Sequence, residues 1–282
     1  MELLTLDQSY ENAGSIDVFE SISGDLRSSD QLRHVFDFLV EHSHYNRETQ
    51  RKSYEANLRA WEDNGNKLRS LLHATSGTQA RGSLDGLAET WKRLHLHGQT
   101  FDQIRTLDQL VDAVKLLEPP VKRARPRPAY PLDAMWHSLS RAQGFGDKTA
   151  ALFVKALVDV HTLEINNDLR FLDDFRVDAQ DVIRVPVDSV ITYIFRLITG
   201  RTLKFATINE IIRRSGLHRE SEATIWDDLW FWGFITQHGG GESRQLAVNE
   251  AKFWSILGSP KKQWSEIRLA AEKFIGILDM AT

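Results

Sequence analysis

The sequence predicts an all-α protein, and three observations carry that prediction. Apolar residues recur with the helical period in segment after segment, convincing period-2 alternation is scarce, and prolines fall between the periodic segments rather than inside them. Leu32, Val35, Phe36, Leu39 and Val40 stand at i, i+3, i+4, i+7 and i+8 behind the cap candidates Ser28 and Ser29, a helix of about four turns. Leu84, Leu87, Ala88 and Trp91 repeat the stripe, as do Leu107, Leu110, Val111 and Val114 before Pro119 and Pro120 end it. Leu132, Met135, Trp136 and Leu139 form the next, followed closely by Ala150, Phe153, Val154, Leu157 and Val158. Val190, Ile191, Ile194, Phe195 and Ile198 make another, and Trp264, Ile267, Ala271, Phe274 and Leu278 the last. A short extended piece is expected over Val182 to Val187, because Pro186 biases its neighbour away from helix.

The 282 residues suffice for one large domain or two small ones, and 41% hydrophobic with 26% charged residues excludes collagen-like and wholly disordered chains. Zero cysteines exclude disulfides, thiol nucleophiles, Cys-ligated zinc and iron–sulfur clusters, which is compatible with a reducing interior. No secretory segment and no membrane span is expected, so the location predicted is intracellular, cytoplasmic or nucleoid in a prokaryote. Residues 1–30 hold Glu2, Asp7, Glu11, Asp17, Glu20, Asp25 and Asp30 against Arg27, about −6; with −4 in total, the remainder is near +2. An anionic partner is therefore compatible with the composition. The expected organisation is an acidic segment 1–30, a helical subdomain 31–118 free to pack with the C-terminal helices, a basic Pro-rich linker 119–131, a central region 132–200, and C-terminal helices 201–282. In the linker, Arg123, Arg125 and Arg127 are DNA-phosphate candidates, a nuclear address or a solvated charge run. His238 to Ser243, with three glycines, reads as a loop.

Chemistry concentrates between Pro131 and Leu157, where two amphipathic helices flank Gln143-Gly144-Phe145-Gly146-Asp147-Lys148-Thr149. A dinucleotide loop would need a strand before it and a third glycine or alanine where Thr149 stands. Between helices the glycines instead allow a tight hairpin with positive φ, whose amides at the next helix start can hold a nucleic-acid phosphate without reading sequence. Lys148 falls in that helix's first turn, where the macrodipole disfavours an ammonium by about 0.3–1 kcal/mol, the direction a Schiff-base nucleophile needs; an exposed surface lysine is the bland alternative. Forty residues on, Pro186-Val187-Asp188 opens an apolar helix. Asp188 is placed as its N-cap, and capping alone accounts for it, but a capping carboxylate beside a nucleic-acid groove can also stabilise a sugar cation or accept a proton. His42 and His44, and His95 and His97, do not converge on a helix face, so no metal site is expected.

Hairpin, lysine and Pro-Val-Asp helix opening together resemble the HhH-GPD superfamily of base-excision DNA glycosylases, over about residues 131–200. Gly144-Phe-Gly-Asp-Lys148-Thr-Ala followed by Val185-Pro-Val-Asp188 is most similar to the bifunctional 8-oxoguanine glycosylase/AP lyases, especially the archaeal GO glycosylase branch. The resemblance implies two helical subdomains flanking a cleft, a helix-hairpin-helix motif, Lys148 as Schiff-base lysine and Asp188 as catalytic aspartate. It implies a double-stranded DNA partner bearing a damaged base, a monomer, and no cofactor beyond a monovalent cation held by hairpin carbonyls. In eukaryotic-type relatives a late helix presents a glutamine and an aromatic to the flipped base; Asp228 and Trp232 would take those roles, with core packing an equal alternative. Departures from the pattern are that aspartate for glutamine, Ala142-Gln143 where Leu-Pro is usual, and a longer gap from lysine to aspartate.

Overall fold

The computed structural model describes residues 26–78, 83–120, 128–217 and 224–279. Among them the protein is mainly helical, with one small antiparallel sheet. No described helix is long and apolar enough to cross a membrane. The chain divides into two compact units, one built from residues up to Asn46 together with Val187 onward, the other from Arg47–Pro186. The described helices before and after residues 119–131 fall in one unit, Arg47–Pro186, whereas the sequence reading set a helical subdomain at 31–118 and a linker at 119–131.

Helix α1 (Leu26–Leu58) supplies residues to both units and runs 33 residues, far beyond the four turns expected. Ser28 and Ser29 lie within it rather than capping it. Its second half carries few aliphatics, and what it buries there includes Tyr54, Thr49 and Leu58, which an aliphatic stripe does not register.

In the 47–186 unit, α2 (Asn64–Ser76) starts at Asp63, whose side chain accepts from Asn66 N–H, and buries Leu68, Leu71 and Leu72. Three aliphatics are too short a stripe to stand out in the sequence. Then come α3 (Leu84–Leu96), α4 (Gly98–Asp102) and α5 (Leu107–Lys115); α5 opens with a capping box in which Thr106 and Gln109 satisfy each other's backbone N–H. Pro131 begins α6 (Pro131–Arg141) at a position needing no backbone donor, and Asp181 accepts from the amides of Leu132 and Asp133. α7 (Asp147–Thr162) is largely buried, with Phe153, Val154 and Leu157 in one core with Leu68, Leu110, Met135 and Leu139. Each such side chain contributes about 1.5–3 kcal/mol by leaving water. Residues 182–187 are extended but pair with no strand; Arg184 instead lies 3.8 Å over the Trp136 ring and 2.6 Å from Asp133.

In the other unit, α8 (Ser189–Thr199) ends at Gly200, whose φ of 69° gives the left-handed C-cap. It is followed by α9 (Phe205–Arg214) and α10 (Asp228–Ile235). The glycine-rich stretch forms a short hairpin, β1 (Gln237–His238) against β2 (Gln245–Leu246), not only a loop. α11 (Glu250–Ser255) and α12 (Trp264–Asp279) complete the unit. Gln31 of α1 donates to the carbonyls of Ile277 and Leu278, and Lys273 pairs with Glu41 at 2.7 Å, fixing the last helix along the first.

Candidate functional site

Residues Ala142 to Gly146 form one tight turn between α6 and α7, and Asp147, Lys148 and Thr149 make the first turn of α7. The Phe145 amide donates to the Ala142 carbonyl at 3.0 Å and Gly144 has φ 79°, so the glycine occupies the left-handed position of a four-residue turn. A second constraint holds it there: a Cβ on Gly144 would sit 2.3 Å from the Leu87 nitrogen, and one on Gly86 2.7 Å from the Gly144 nitrogen. The start of α3 and the turn thus meet backbone to backbone. Thr90 adds a hydrogen bond to the Gln143 carbonyl at 2.6 Å. The carbonyls of Ala142 and Gln143 accept from the Phe145 amide and the Thr90 hydroxyl.

Gly146 is the N-cap of α7 and, lacking a side chain, leaves the first-turn amides without a side-chain cap. Gln143 and Asp147 are exposed, Lys148 is half-buried, Thr149 is buried, and Phe145 packs against the core. The indole of Trp136 donates to the Asp147 carbonyl at 3.1 Å, tying the helix start back to α6.

Asp188, in the other unit, is the N-cap that the sequence places there. Its Oδ1 accepts from Val190 N–H at 2.8 Å and Ile191 N–H at 3.1 Å, and the residue is half-buried. One carboxylate oxygen is thereby fixed by two amides, which orients the group at the head of α8. Beside it Arg244 donates to the Ser189 carbonyl at 2.6 Å and to Ser189 Oγ at 3.0 Å.

Asp228 and Trp232 are also in this unit, and both are interior. Asp228 is 5% exposed and its Oδ1 accepts from Asn46 at 2.5 Å. Trp232 is 0% exposed, ringed by Phe38, Tyr45, His42 and Phe231 at centroid distances of 5.0 to 6.0 Å, mostly edge to face. The indole thus packs in the interior, the arrangement that the sequence reading gave as the equal alternative to stacking on a base. Arg123, Arg125 and Arg127 lie outside the described residues.

Two groups of polar residues escaped the sequence reading. The first is Lys155, Asp159 and Tyr54, buried in the 47–186 unit: the ammonium lies 2.8 Å from Asp159 Oδ2, to which the Tyr54 hydroxyl also donates at 2.8 Å. Its signal was a Lys and an Asp at i, i+4 inside an otherwise apolar stripe. The second is Arg244 with Lys252, both donating to Gln237, which carries no local sequence signal. Among the described residues no group of three or more His, Cys, Asp or Glu is arranged to hold a metal ion. Compared with family models, curated proteins and solved structures, the chain finds no match.

Proposed function

We propose that this protein is a helix-hairpin-helix DNA glycosylase with AP-lyase activity, acting on an oxidised purine, 8-oxoguanine first among them. The observation that carries the reading is the glycine turn ahead of α7, with its uncapped amides and the half-buried Lys148 in the first helical turn. Amides in that geometry suit a DNA phosphate. The fixed carboxylate of Asp188 at the head of α8 is the second support.

The target nucleotide is extruded from the duplex, because its glycosidic carbon is inaccessible in the stack. The Lys148 amine attacks C1′, the C1′–N bond breaks and the base leaves taking a proton. Asp188 stabilises the positive charge that develops on the sugar. Opening of the sugar ring gives an imine between Lys148 and C1′; loss of a C2′ proton then expels the 3′ phosphate and cuts the strand. All of these steps use groups of the chain and of DNA.

The test is single-turnover excision from duplexes carrying 8-oxoguanine, uracil or an alkylated purine. Release of 8-oxoguanine is expected, falling by about 10²-fold or more in Asp188→Asn, with a stability cost of about 1 kcal/mol or less from the weakened cap. Excision of a different base would change the substrate. No release of any base would reduce the chain to a DNA-binding module.

A further inference from the structure

The cations around β1, β2 and the start of α8 are employed by neither the core nor the proposed chemistry. Arg244 donates to Gln237 Oε1 at 2.8 Å, and Lys252 donates to the Gln237 carbonyl at 2.6 Å, so both charges converge on one residue. The Arg244 guanidinium lies 5.6 Å from the Tyr193 ring, and that of Arg196, in the last turn of α8, lies 5.0 Å from the same ring. The Tyr193 hydroxyl donates to the Arg244 carbonyl at 3.1 Å, and Lys252 stands 5.0 Å over the Phe234 ring. These rings support the cations from behind. Among the side chains that the structure describes, which do not include that of Glu242, none of the three cations lies within ion-pair distance of a carboxylate. Burial first, and the Arg244 charge second, hold the Lys252 ammonium below the ordinary lysine pKa.

Like charges gathered on neutral oxygens and aromatic faces repel one another, and an anion would relieve that repulsion. The position narrows which anion. Arg244 holds the backbone carbonyl of Ser189, the residue after Asp188, so a ligand on this cluster sits at the head of α8. We infer that Arg244 and Lys252 form a binding site for one backbone phosphate of the DNA strand that carries the target nucleotide. This rests on the glycosylase reading, because in that reading the sugar under attack lies at Asp188 and its flanking phosphates are within one nucleotide of it. The site is built for position rather than sequence: the guanidinium offers a fork of donors, the ammonium a point charge, and neither reaches a base edge in contacting a phosphate.

The test uses the full chain and a duplex containing a tetrahydrofuran abasic analogue, with affinity measured as a function of salt. In the double variant Arg244→Gln/Lys252→Gln, affinity is expected to fall at least about tenfold, as for loss of charge-assisted hydrogen bonds. The slope of log affinity against log salt should flatten by about 1. Arg244→Lys should restore the slope. Lys252→Gln alone leaves the Arg244 bonds to Ser189 in place, so it reports on charge even if the double variant folds poorly. Replacing single phosphates by neutral methylphosphonates should weaken wild-type binding at one position beside the analogue and leave the double variant indifferent there. An unchanged slope in folded Lys252→Gln and double variants, with wild type still excising base, overturns the phosphate site alone. A flattened slope without excision by wild type overturns the glycosylase reading and leaves the phosphate site standing.

Discussion

Lys155→Met is expected to lower the unfolding free energy by about 3–5 kcal/mol, the cost of breaking a buried ion pair by removing one partner. The ammonium and carboxylate of Lys155 and Asp159 are 3% and 4% exposed, and the Tyr54 hydroxyl closes the third side at 2.8 Å from the carboxylate. Asp159 also receives the Asn166 side chain on its backbone carbonyl at 2.9 Å, so α7 and the residues after it are bound at this point. Without the ammonium, a carboxylate remains in a core whose other members are Phe153, Val154 and Leu157. Asp159→Asn should cost a similar amount by leaving the ammonium without its counter-charge. The double variant Lys155→Met/Asp159→Leu should recover most of the loss, because two apolar groups carry no desolvation penalty. Urea unfolding of the three variants checks this. Losses under 1 kcal/mol in both single variants would mean that water reaches the pair.

Acid should destabilise the same unit through His161. Its ring lies against Phe171 and Phe175 at 4.8 and 4.7 Å, and its Nε2 has no hydrogen-bond partner among the described residues. Burial, with the nearby Arg170 charge second, pushes its pKa down to about 3. In the unfolded chain the imidazole titrates near 6.5, so below that pH the unfolded state takes up a proton that the folded state refuses. The stabilisation is therefore complete above about 6.5 and is lost as pH falls toward 3, at up to about 1.4 kcal/mol per unit. Between pH 7 and pH 5 this group alone should remove about 2 kcal/mol. His161→Leu, neutral at every pH, should lose that part of the pH dependence; identical wild-type and variant slopes of stability against pH would contradict it.

What the sequence disclosed follows from the scale of its signals. Apolar stripes such as Val190, Ile191, Ile194, Phe195 and Ile198 gave α8, and Asp188 before them gave its cap, because period and capping act within one or two turns. Gly144 was legible as a turn glycine for the same reason, but its contact with Gly86 and Leu87 was not, since 57 residues of chain separate Leu87 from Gly144. The second half of α1 was missed because Thr49, Asn46 and Tyr54 are buried by hydrogen bonds and rings rather than aliphatic periodicity. The unit boundary at Asn46 falls inside a continuous helix, where composition gives no break. Three tryptophans within seven residues suit a core as well as a pocket, so the burial of Trp232 was one of two readings that the sequence left open. Arg244 and Lys252 belong together only once β1 and β2 pair.

The most direct measurement of the central claim is borohydride trapping on a duplex containing 8-oxoguanine, with the modified peptide identified by mass spectrometry. A Lys148 imine reduces to a covalent protein–DNA adduct, so wild type should give one adduct with the DNA remnant on Lys148. Lys148→Gln should give neither adduct nor strand nicking while retaining most of its affinity for duplex, since the backbone of the turn is unchanged. An adduct that persists in Lys148→Gln, or a wild-type protein that binds the duplex and traps nothing, would contradict the account.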